Sequence, residues 1–227
     1  MIERIARPGL IILLLVSLSQ GMSGQQQDFQ SRFEAGFDRR FNNGLKLTLE
    51  AGQRFRYNST QYDRTLFTLS GDYSPTGYLD LAGGARLILA SDIESRVTPR
   101  YRIHADVTGN QTVAGVDLSL RVRFQYGFEE FIYFNDFRSN TLVNRIRLKA
   151  GYHFFGTRIG AYGYLESWGL VTDNNGHFFK RMRYSLGAAY TLSFRSSIGI
   201  GYILEDEFNQ ANPLRLHILE VTYSHSL

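Results

Sequence analysis

The 227-residue chain has no cysteine, four prolines and one tryptophan. Without thiols, neither a disulfide framework nor a thiolate metal site is available. The interior also lacks an apolar run near the roughly 20 residues that a membrane-crossing helix requires. The N-terminus alone comes close, with Arg4 and Arg7 ahead of a short apolar core from Gly9 to Leu18 and small residues at Ser19, Gly21, Ser23 and Gly24. This is the pattern of a cleaved secretory signal over residues 1–24, cut after Gly21 or Gly24, leaving residues 25–227 as one domain. With no cysteine after the apolar core, a lipid-anchored N-terminus is excluded. Strong charge of one sign is missing too: the net charge is +4 and the cations are scattered, so nucleic acid is not expected as a partner.

What the chain does have is alternation. Leu45, Leu47 and Leu49 alternate with Lys46, Thr48 and Glu50; Val116, Leu118, Leu120, Val122, Phe124 and Tyr126 alternate with Asp117, Ser119, Arg121, Arg123 and Gln125. Period two means strands with one apolar and one polar face, and 17 Phe with 14 Tyr suit an all-β protein. The polar face carries many ions, among them Arg32, Glu34, Glu50, Arg54, Asp72, Asp80, Arg86, Asp106 and Arg183. Aromatic residues gather near strand ends, as at Phe55 and Tyr57, or Tyr152 and Phe154, like the girdles of a lipid-facing barrel. Segments of ten to fifteen residues also exceed the average globular strand of about five or six.

Turn signals divide the chain into about eleven segments. Asn42-Asn43-Gly44 reads as a type I′ hairpin, Gly109-Asn110 as another turn, and Glu205 to Pro213 as a long loop. A phase slip between Ile218 and Leu219 suggests a β-bulge, and the phase of the segment from Arg158 to Trp168 is ambiguous. Tight turns follow odd segments and longer polar loops follow even ones, the asymmetry of outer-membrane barrels, placing Leu227 on the periplasmic side. The expectation is an all-β, antiparallel up-and-down transmembrane β-barrel of about 10–12 strands. Such barrels have even strand numbers. An extra strand near Trp168, a first segment crossing the lumen, or a split first stretch would each restore parity.

Several stretches resemble a known family: Gln27-Asp28-Phe29 followed by alternating aromatics, the Asn43-Gly44 hairpin into Leu45 to Glu50 with Gln53-Arg54-Phe55-Arg56 behind it, the Arg-rich sixth segment, and Gly199 to Tyr202 leading to Glu205 and a closing hydrophobic strand. They resemble an uncharacterised family of Gram-negative outer-membrane barrels, a domain of unknown function, over essentially the whole mature chain. The resemblance implies the cell outer membrane as location and carries no catalytic motif. Such proteins usually finish on Phe or Trp, whereas this chain offers Val221, Tyr223, His225 and Leu227 as its closing insertion signal. The expected partners are therefore the bilayer lipids and, during biogenesis, the barrel-insertion machinery.

The candidate site is a lumenal charge cluster of Arg100, Arg102, Arg121, Arg123, Arg145, Arg147 and Lys149 on three consecutive segments. It reads either as an anion-attracting constriction, making a narrow anion-preferring pore, or as one half of an ion-paired plug completed by Glu34, Glu50, Asp72, Asp80, Asp106, Asp117 and Glu166. No catalytic, metal or cofactor-binding residue is expected. Five histidines are present, His104, His153, His177, His217 and His225, without distinctive spacing; Ser224 and Ser226 flank the last but point to the opposite face. The expected function is structural or passive permeability without catalysis. The rivals are a barrel enzyme acting on lipid or peptide, which would need His104 or His153 beside a hydroxyl or acid in a lipid-open cleft, and a soluble ligand-binding barrel with its apolar faces inward.

Overall fold

The computed structural model describes residues 26–91, 97–128, 140–171, 178–209 and 212–227; the signal expected over residues 1–24 and His177 lie outside them. Period-two sequence becomes eleven long strands: β1 Gln26–Arg40, β2 Leu45–Arg56, β3 Gln61–Thr76, β4 Leu79–Ser91, β5 Val97–Val113, β6 Val116–Phe128, β7 Asn140–His153, β8 Ile159–Leu170, β9 Phe179–Ser193, β10 Ser196–Glu207 and β11 Leu214–Ser226. Consecutive strands pair antiparallel, and β1 closes the barrel against β11 in parallel, from Gln26 with Leu214 to Asp38 with Ser226.

The parallel seam follows from arithmetic: strands that alternate in direction meet their own direction again when their number is odd. The expected even count is corrected, since the described residues form eleven strands. β1 is unsplit and pairs along both edges, so it does not cross the lumen, and β8 joins β9 with no further described strand between them.

Three local readings also change. The hairpin at 42–44 has positive φ at Gly44 alone, with Phe41 N donating to Leu45 O at 2.8 Å. That is a three-residue turn closed by a left-handed glycine rather than type I′. Two successive positive φ angles, which type I′ requires, occur instead at Ala114 (52°) and Gly115 (81°). There β5 turns into β6, so Gly109 and Asn110 lie inside β5. In β11 the pairing is regular on both sides, so no bulge causes the slip at Ile218. Leu216 and Ile218 face inward and pack with Ile203, which breaks the polar alternation without breaking the register.

Left-handed backbone also forms the β2–β3 turn, at Tyr57, Asn58 and Ser59. None is glycine, and β1 supplies the compensation. The Asp28 carboxylate accepts from Tyr57 N at 3.2 Å and Asn58 N at 2.9 Å, and Ser59 N donates to Phe29 O.

Leu118, Leu120, Leu148 and Leu186 are 38, 51, 52 and 68% exposed on the exterior, and Phe33, Leu49, Leu69, Phe124 and Ile200 share that face. The apolar half of the sheet looks outward and the charged half inward, the reverse of a water-soluble barrel. The soluble ligand-binding barrel is thereby overturned.

The two ends of the barrel differ. The connections after odd strands, at 41–44, 77–78, 114–115, 154–158 and 194–195, form the turn end; the even strands finish at the opposite end, the loop end. Buried inward side chains concentrate in the loop-end half, including Gln30, Ile88, Gln125, Val143, Glu166, Ile203 and Glu205.

The lumenal charge lattice as candidate functional site

Cross-strand partners lie about 5 Å apart on one face of a sheet, so register decides which charges meet. Across β6 to β10 one row reads Arg121, Arg147, Glu166, Arg183, Glu205, each residue directly opposite the next. From Arg147 onward the sign alternates strand by strand.

Glu166, fully buried, is the hub of this row. Its carboxylate accepts from Arg121 Nη2 at 3.0 Å, Arg145 Nη2 at 2.8 Å, Arg147 Nε at 3.0 Å and Trp168 Nε1 at 3.2 Å. Arg183 reaches it at 3.4 Å and donates through Nε to Glu205 at 2.8 Å. Arg181 bonds Glu207 at 2.6 Å and lies 2.8 Å from Glu205. Acceptor-only carboxylates inside a barrel hold their charge only with such donors around them.

A parallel row reads Arg123, Arg145, Trp168, Arg181, Glu207. The indole of Trp168 lies 3.9 Å from the Arg145 guanidinium, 5.1 Å from that of Arg183 and 5.3 Å from that of Arg181, within cation–π range. Arg123 grips Asp106 with two bonds of 2.6 Å. Gln125 Oε1 accepts from both Arg102 and Arg145, at 3.4 and 3.3 Å.

Toward the turn end the lattice opens into a cavity of about 820 Å³, in the size range of small-molecule sites. A second space of about 430 Å³ adjoins it, and Glu50, Arg86, Arg121, Arg147 and Lys149 line both. The ambiguous phase of β8 resolves inward: Arg147 lies over the Tyr164 ring at 4.3 Å and Lys149 over Tyr162 at 5.3 Å. Tyr162 fits because it lies against glycines of β9 and β10. A Cβ at Gly187 would stand 2.5 Å from its ring and one at Gly201 3.0 Å from its hydroxyl.

The seven residues of the expected cluster occupy alternate positions of the inward face on β5, β6 and β7. Arg121, Arg123, Arg145 and Arg147 enter the lattice, Arg102 reaches it through Gln125, Arg100 stands nearer the loop end, and Lys149 lines the cavity. Of the acids expected to pair with them, Asp106 and Glu166 do. Glu50 goes to Arg86 at 3.7 Å and Asp72 to Lys46 at 3.7 Å. Asp80 is held by Ser74 and Asn110, and Asp117 by Thr112.

Glu205 and Glu207 belong to β10 rather than to the long loop that the sequence suggests from Glu205 to Pro213. The outward set Ile198, Ile200, Tyr202 and Leu204 carries the signal that places them inward, because its alternation continues for three more residues. His104 and His153 make no hydrogen bond to a hydroxyl or acid among the described residues.

Among curated proteins none matches this sequence. Among solved structures, the NanC porin in a rhombohedral crystal form is similar, with a TM-score of 0.58 at 12% identity, covering 88% of this chain and 99% of that one. At this identity the likeness speaks for the fold alone: a porin-like, all-β closed barrel. Residues 29–215 match the family described as "Protein of unknown function (DUF2490)". A match over that span bears out the resemblance carried by the residues, and the chain belongs to this family.

Proposed function

We propose that the protein resides in the outer membrane and acts there without chemistry, as a structural or passively permeable barrel whose loop-end half is filled by its own ion pairs. The single observation that carries the reading is the inside-out charge distribution. An exterior of Leu, Ile, Phe and Tyr meets acyl chains, while Glu166 and Glu205 gather the Arg side chains of β6 to β9 across the interior. Bilayer lipid is thus the permanent partner. Val221, Tyr223 and His225 of the last strand, with Leu227 just beyond it, are what the insertion machinery would read.

Planar-bilayer recording tests the function. The expected result is a small or absent conductance for the unaltered protein, with an increase for the double variant Glu166→Gln, Glu205→Gln, which removes the carboxylates that hold the lattice together. A large ohmic conductance from the unaltered protein would overturn the filled interior and favour the narrow anion-preferring pore.

One observation favours an enzymatic reading. Ser196 Oγ lies 2.8 Å from His225 Nδ1 on the outer face near the turn end, beside Phe37. Nucleophilic catalysis calls for a third group orienting the imidazole, and no acid bonds His225 among the described residues. Ser196→Ala is expected to leave phospholipid vesicles unhydrolysed to the same extent as the unaltered protein. A lipase activity lost in that variant would restore the enzyme.

A further inference from the structure

The alternation of the β7–β10 row is absent where arginine meets arginine: Arg121 opposite Arg147, Arg123 opposite Arg145 and Arg86 opposite Arg102, and in succession on β1 to β3. Arg32, Arg54 and Arg64 stand directly opposite one another on β1, β2 and β3, an arrangement in which like charges repel. Arg64 donates through Nε to Asp63 at 2.7 Å, Arg32 lies 4.0 Å from Glu205 and stands opposite Glu220, and Arg86 nearby bonds Thr68 at 2.7 Å and lies 3.7 Å from Glu50. Arg54 has neither an ion pair nor a hydrogen bond among the described residues. It stands inside the barrel, partly exposed to the larger cavity that it lines.

Arg32, Arg64, Arg86 and Arg183 repel Arg54, and Glu34 attracts it. Glu34 also lines the cavity, but it stays outside ion-pair distance of Arg54. A partly buried cation with no bonded partner is destabilised in proportion to its burial, and the four neighbouring cations add to that cost. Of the nine cationic side chains around the whole cavity, Arg121, Arg123, Arg145, Arg147 and Arg183 are paired with Asp106, Glu166 or Glu205 of the lattice, and four carboxylates line the cavity itself. Lys149, with no carboxylate partner among the described residues, stands on β7, on the far side of the ring of strands from β1 and β2.

We propose that the inner end of this cavity is a binding site for a small oxyanion, the carboxylate or phosphate group of a solute, received by Arg54 with Arg32 and Arg86 beside it. Guanidinium groups present planar, paired N–H donors that match carboxylate and phosphate oxygens. An oxyanion there gives Arg54 the directly bonded countercharge that Glu34, outside ion-pair distance, does not. The site deepens the passive-barrel reading by naming a solute class, and it requires only that solute enter from the turn end.

The test uses the purified full chain in detergent micelles at constant ionic strength. Inorganic phosphate and acetate are titrated separately by calorimetry, with urea unfolding followed in parallel. At least one of the two anions is expected to bind, with affinity falling roughly tenfold or more in Arg54→Gln, the loss of a charged hydrogen bond. Arg54→Lys should keep part of it, and Lys46→Gln, whose residue pairs with Asp72, should keep all of it. Whichever anion binds identifies the group recognised.

Without added anion, Arg54→Gln is expected to unfold at higher urea than the unaltered protein. A purely structural arginine would give the opposite sign. Binding of neither anion, binding unchanged in Arg54→Gln, or an Arg54→Gln protein that is less stable or fails to fold would each overturn the site. Conductance is a separate measurement, so the passive-barrel reading can stand or fall independently.

Discussion

The walls built by β7–β10 and by β1–β3 use the same material, Arg side chains on inward alternating positions in the loop-end half, and they differ in what register places between them. On β7–β10 each strand brings a sign opposite to its neighbour, so Glu166 and Glu205 are flanked by Arg147, Arg183 and Arg181. On β1–β3 three arginines are opposed in succession and only the outer two find acids. A buried ion pair adds little net stability, but breaking one leaves a bare charge at high cost. The first wall is therefore committed to the barrel's own structure, while the second keeps a charge free for something else.

The largest expected effect lies in the first wall. Glu166→Gln leaves Arg121, Arg145, Arg147 and Arg183 short of a countercharge and should cost on the order of 3–5 kcal/mol, read by urea unfolding or by loss of heat-modifiable gel migration. A cost below about 1 kcal/mol, in the range of an exposed pair, would mean that the alternating row is not a unit. Trp168→Phe removes the indole donor to Glu166 and weakens the stacking of three guanidinium groups. About 1–2 kcal/mol is expected in the same assay.

At the edge of the second wall, Asp28→Ala strips the acceptor from the left-handed turn at Tyr57 and Asn58. A loss of roughly 1 kcal/mol is expected, with faster proteolysis at 57–60 as its local signature. The smallest change belongs to Lys46→Gln. Its pair with Asp72 is 3.7 Å long and one-third exposed, so the shift should stay within about 0.5 kcal/mol. A larger shift would extend the committed lattice to the turn end.

Much of the fold was legible because a sheet with one lipid-facing side repeats a single rule. Leu118, Leu148 and Leu186 announce the outer face, and Arg121, Arg123, Arg145 and Arg147 the inner one, through spacing alone. The rule misled where both faces carry the same kind of residue. Ile218 faces inward with Leu216 and Ile203, so an apolar lumenal patch looked like a bulge. Tyr162, Tyr164 and Trp168 are aromatic yet lumenal, because Lys149, Arg147 and Arg145 offer them cations to lie against. Ala114 stands where glycine or asparagine is usual, so no turn residue marked its position.

The order of residues along the chain determined the strands, their faces, the outward turn of the apolar side and the presence of a crowded ionic interior, since these depend on neighbours two residues apart. Which charges meet was decided only by the tertiary structure. Arg54 is separated from Arg32 and Arg64 by loops and turns, and Glu166 reaches Arg121 across 45 positions. Their pairing depends on register and on an odd number of strands closing in parallel, quantities that emerge only when the sheet bends round to meet its own first edge.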